Sequence, residues 1–137
     1  MRILLFIIIL VLLVIIDIPM ITIINKKMYK DAFLKINNKE ISTGETGIIA
    51  AIICYLLLSF AIYYFVVNPG INNNTPYNIL FINGLLLGLV IYGIYNTTNK
   101  STINNYSTYV TYIDTLWGSI LMGTISVFSV LLIKKLN

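Results

Sequence analysis

The chain has 137 residues, of which 58% are hydrophobic and 10% charged, with a net charge of +4, no histidine and one cysteine. A soluble domain carries roughly 25% charge, so this chain cannot cover its own surface with water-loving groups. The missing histidine excludes serine–histidine and cysteine–histidine catalysis and the usual zinc sites, the lone Cys54 makes no intrachain disulfide, and too few bases cluster to hold nucleic acid against salt.

The first predicted element is a membrane span over residues 3–24, "ILLFIIILVLLVIIDIPMITII". At about 1.5 Å per residue it reaches roughly 33 Å, enough to cross a hydrocarbon core. Arg2 before an apolar run also resembles a signal peptide, but no small-x-small cleavage site follows, so an uncleaved anchor is expected. Pro19, just beyond Asp17, is expected to kink the helix.

Residues 25–46 are polar, with Met28, Tyr29, Ala32, Phe33 and Ile36 at helical spacing. Lys26, Lys27, Lys30 and Lys35 surround that apolar face. The pattern predicts an amphipathic helix at the interface, its lysines in contact with lipid headgroups; a solvated connector is the plainer reading. Asn37-Asn38 ends it, and "STGE", residues 42–45, fits a capping box that gives Glu45 a structural role.

The second span is predicted at 47–67, stopped by Asn68-Pro69-Gly70. The third, at 78–96, carries Gly84 and Gly88 in small-xxx-small spacing, which favours close helix packing over a pore lining. A polar loop, "TTNKSTINNYST", is expected at 97–108, and the fourth span at 109–133, ending on Lys134 and Lys135. The fold class is therefore all-α: one membrane domain over 1–137, a four-transmembrane-helix bundle with an interfacial helix between the first two spans. Lysine counting over the loops places both termini outside the cytoplasm. Frequent isoleucine, asparagine, lysine and tyrosine point to an AT-rich genome, such as that of a large DNA virus, an intracellular bacterium or an organelle.

Two acids interrupt this apolar chain. Asp17 lies near the end of the first span and Asp114 near the start of the fourth, so antiparallel helices bring both to one level in one leaflet. The third span ends on that side, adding Tyr92, Tyr95, Asn96 and Asn99; Asn83 and scattered hydroxyls are all the other leaflet offers. An acid at membrane depth costs up to about 2.5–3.5 kcal/mol and is by default a functional-site candidate. Two that approach closely are expected to share a proton, bind a cation or grip a polar headgroup. The candidate ligand or proton site is Asp17, Asp114, Asn96, Tyr95, Asn99 and Trp117, without a metal, cofactor or catalytic residue. The opposing reading is structural: Asp114 accepts bonds from Tyr95 or Asn96 and only sets helix register. Trp117 reads first as an anchor or filler, and Gly118 as a packing notch.

Across nearly its whole length the chain resembles an uncharacterised family of small membrane proteins, domain-of-unknown-function family 2177, found mainly in bacteria. The resemblance rests on Asp17, on Tyr29 and Lys30, on Gly84 and Gly88, and above all on "YNTTN" at 95–99 and "DTLWG" at 114–118. It implies four helices and a functional polar cluster, with no established activity. Asn96 stands where the family usually has aspartate, and Met20 where a tryptophan typically follows the first acid.

Four functions compete. The first is a non-enzymatic membrane protein whose polar cluster binds a lipid headgroup, small polar ligand, cation or proton. Its alternative is a structural component of a membrane or virion membrane, whose cluster only fixes the bundle. An acid–base lipid enzyme lacks a nucleophile or metal set, and an ion channel would need an oligomer. Membrane lipid is the expected partner; homo-oligomers and other membrane proteins remain open.

Overall fold

The computed structural model describes residues 2–37 and 44–136. Every regular element among them is helical. In lipid each backbone N–H and C=O must be satisfied within its own segment, so long apolar runs fold as helices. Four are long and apolar enough to cross a membrane: Arg2–Ile24, Glu45–Asn72, Tyr77–Thr102 and Thr108–Leu136. A shorter helix, Lys26–Asn37, connects the first two.

The fourth span is the centre of the bundle. Its apolar window is 56% buried, against 17–22% for the other three. It packs along the third span and against the first; the second leans on the first. The body of the second span, Glu45–Ile62, hardly touches the third, and the two are joined through its Tyr63–Val67 turn. These two spans are therefore close at one end and apart at the other.

In the first span the buried residues are Leu5, Ile9, Leu13 and Asp17, each four after the last. Such a stripe faces one side of a helix, so Asp17 points inward with the leucines. Ile62, Val66, Val67, Leu80, Leu121, Met122 and Ile125 complete the core beside them. Outward-facing Ile7, Val11, Ile49 and Ile53 are exposed, which costs nothing where the solvent is hydrocarbon.

Gly84 and Gly88 are buried against the fourth span. A Cβ on Gly88 would lie 2.6 Å from the Gly118 carbonyl oxygen, and one on Gly84 2.7 Å from that of Met122. The obstacles are backbone and cannot rotate away, so only glycine permits this approach.

Several boundaries differ from the sequence reading. The first span runs through Pro19 to Ile24, as expected, but past Pro19 it widens into a π-helical turn, Met20–Ile24, closed by the Asn25 N–H donating to the Met20 carbonyl at 2.9 Å. Asn68-Pro69-Gly70 does not end the second span. A second π turn, Tyr63–Val67, precedes it and the helix runs on through Asn72, with Pro69 in the first turn after the bulge. There its missing N–H and its ring are tolerated, as at a helix start. The third span extends past residue 96 to Thr102. Thr97 and Thr102 return their hydroxyls to carbonyls four residues back, so polar composition did not mean loop. The second span opens at Glu45 with Gly44 as its N-cap and no side-chain cap bond, so Glu45 is not at the third position a capping box needs. Ser42, Thr43 and Asn38 lie outside the described residues.

Candidate functional site

The inward stripe of the first span carries Asp17 to the half of the bundle where the second and third spans separate. There the indole of Trp117, one turn beyond Asp114 on the fourth span, donates to Asp17 Oδ1 at 2.8 Å. The Tyr55 hydroxyl, from the second span, donates to Asp17 Oδ2 at 3.0 Å. One acid thus ties three spans together.

Asp114 is held in the same manner from other directions. Asn96, fully buried on the third span, donates to Asp114 Oδ2 at 2.7 Å through Nδ2, whose second hydrogen goes to the Tyr92 carbonyl at 3.0 Å. The Asn96 amide oxygen accepts from the Tyr106 hydroxyl at 2.8 Å. Asp114 Oδ1 accepts a short hydrogen bond from Tyr29 on the connecting helix. Burial pushes the Tyr29 phenol well above its usual range, and its bond to Asp114 pushes the same way, so Tyr29 remains a protonated donor. Burial also raises the Tyr106 phenol.

Both acids are buried, Asp17 5% and Asp114 9% exposed. Among the described residues no hydrogen bond joins them; each has one donor on each oxygen. Both line a cavity of about 400 Å³. Its lining combines acidic and phenolic groups with apolar ones: Ala51, Cys54 and Leu58 from the second span, Ile91 from the third, and Ala32 and Phe33 from the connecting helix. The volume falls within the range of small-molecule sites, roughly 300–1,000 Å³, which are likewise mostly apolar with a few convergent polar groups.

The sequence-predicted residues divide by position. Asp17, Asp114 and Tyr95 line the cavity. Tyr95 is 57% exposed and makes no bond to Asp114; that role falls to Asn96 and Tyr29. Asn96 and Trp117 stand behind the acids, and Asn99 is half-buried next to Tyr106. On the connecting helix Lys26, Lys27 and Lys35 are exposed and Lys30 half-buried. Ala32 is buried, and Tyr29 and Ile36 turn inward with it, as the spacing of that face requires.

Two donors were missed. Tyr55 sits alone in "AIICYLLL", and an isolated phenol in an apolar run is a usable signal, because a buried hydroxyl needs a partner. Tyr106 lies in a turn, where nothing local marks it.

A family described as "Predicted membrane protein (DUF2177)" matches residues 2–131. The chain belongs to this family. The match covers the first three long helices, the fourth as far as residue 131, and every residue of the polar network, so the cluster is built wholly within the family's shared region. No curated protein and no solved structure matches the chain. Asn96 supplies N–H groups that a carboxylate in its place would lack, and one of them holds Asp114.

Proposed function

We propose that this family member is a non-enzymatic integral membrane protein that binds an amphiphile in the cavity between its second and third spans. The apolar part lies against Ala51, Cys54, Leu58 and Ile91, and the polar end meets Asp17 and Asp114. The observation that supports this most is the pairing of both intramembrane acids with one largely apolar cavity of about 400 Å³. A cluster needed only for packing would have no use for that space. Tyr95 lines the opening; Asn96 and Trp117 orient the carboxylates rather than the ligand, and Asn99 supports Tyr106. The exposed lysines of the connecting helix, Lys26, Lys27 and Lys35, are placed to meet anionic headgroups, with that helix at the interface and both termini on the non-cytoplasmic side.

A second reading has its own support. Tyr55, Trp117, Tyr29 and Asn96 come from different elements and occupy all four carboxyl oxygens, which suits a structural latch in a cellular or virion membrane. Asp17→Asn and Asp114→Asn, singly and together, separate the two. Thermal unfolding is followed in detergent with and without added single-chain lipid. Lipid that stabilises the parent but not the variants supports binding; equal, lipid-independent losses leave only the latch.

A further inference from the structure

The cavity has a charge character as well as a shape. Among the described residues no lysine or arginine lines it, while Asp17 and Asp114 both do. The groups that hold those acids, Tyr55, Trp117, Tyr29 and Asn96, are all neutral. An ionised carboxyl offers about four lone-pair sites, and each of these two has two described donors, so both keep acceptor capacity towards the cavity. The remaining polar lining is phenolic: Tyr29, Tyr55, Tyr92, Tyr95 and Tyr106. Aromatic faces are electron-rich and attract cations. The lysines that would suit an anion are elsewhere: Lys27 and Lys35 line a separate groove outside the cavity.

Acceptors and ring faces without a positive group select against phosphate or carboxylate and in favour of an ammonium. Resting on the amphiphile reading above, we infer that the polar end this site takes is an ammonium group, placed at Asp17 and Asp114 within the tyrosines. The attached apolar chain leaves for the lipid through the gap between the second and third spans. Among the described residues the two helices make their main contact at Tyr63–Val67, at their other end. An ammonium on a lipid chain satisfies both halves of the cavity: its N–H groups reach the unused carboxylate lone pairs, and its chain covers the apolar walls.

The chain contains its own reporter. Cys54, the one cysteine, lies on the cavity wall and is exposed, so an occupant should shield it from a methanethiosulfonate reagent. The full-length protein in detergent is labelled in the presence of tetradecylamine, tetradecanol or myristate, which share a chain and differ in the polar end. Tetradecylamine, charged at neutral pH, is expected to protect Cys54 at about tenfold lower concentration than the alcohol, with myristate weakest. Asp17→Asn and Asp114→Asn should each remove most of the amine's advantage over the alcohol measured in the same variant. Equal protection of the parent by all three, or strongest protection by myristate, overturns the ammonium assignment and leaves an amphiphile site standing. No protection by any of them removes the amphiphile reading as well. Should either variant fail to fold, the three-ligand series on the parent still decides the question.

Discussion

The contact between the third and fourth spans changes character halfway along. In the half containing Gly84 and Gly88, backbone meets backbone, and the buried Ser119 and Ser126 hydroxyls return to their own helix at 2.7 Å. In the other half, Tyr92 lies over Gly118 and Asn96 reaches Asp114. The same helix pair is thus held by close van der Waals packing at one end and by hydrogen bonds between side chains at the other. The first arrangement leaves no room between these two helices; the second lies beside the cavity. Large polar side chains hold elements apart and bond them together at once, and such an arrangement can form a site.

The largest expected effect is in the glycine half. Gly84→Ala and Gly88→Ala each drive a methyl group into backbone, an overpacking cost of about 1–3 kcal/mol apiece and more in combination. Thermal unfolding in detergent measures it; a double variant as stable as the parent would mean that the two helices are not this close. Asp114→Ala comes next. It leaves the Tyr29 hydroxyl and an Asn96 N–H without their acceptor, at about 1–3 kcal/mol for each buried group left unsatisfied, and water entering the cavity would reduce the loss.

Tyr29→Phe removes one buried donor to a carboxyl and should cost about 1–3 kcal/mol. Its specific sign is faster amide exchange over Lys26–Asn37, with the glycine half unchanged. The pH dependence follows from the raised Tyr29 phenol. A phenol that holds its proton more tightly when folded contributes stability in full below the unfolded value of about 10, and that contribution fades as pH rises above it. Protection of the connecting helix should therefore hold through pH 9 and decline at higher pH in the parent, with a smaller decline in Tyr29→Phe. The smallest effect is expected for Asn99→Ala, within about 0.5 kcal/mol, because Asn99 is only half-buried and supports a turn residue. A loss as large as that of Asp114→Ala would move the centre of the network towards the helix end.

Much of the architecture was legible because lipid simplifies folding. Long apolar runs have one way to satisfy their backbone, and glycines spaced by four mark where helices touch. Helix ends were less legible. Residues 97–102 are polar and still helical, since threonine and serine hydroxyls bond back to their own helix. Asn68-Pro69-Gly70 is passed by a helix that has already widened at Tyr63–Val67, and a π turn has no simple local signature. The two acids stood out by depth alone. Tyr29 was recognised as part of an amphipathic face, but its partner lies 85 positions away, and no local pattern encodes that distance.

By itself, the sequence determined that the chain makes four apolar helices, singled out Asp17 and Asp114 as acids inside apolar runs, and marked Gly84 and Gly88 as a helix contact. These are consequences of hydropathy, helical period and the cost of exposing charge to hydrocarbon. Only the tertiary structure decided which neutral groups hold each acid, that the acids keep separate donors, and that the second and third spans part to leave a cavity beside them. Those outcomes depend on how helix axes diverge over tens of ångströms, a property of the packed bundle that no single helix carries.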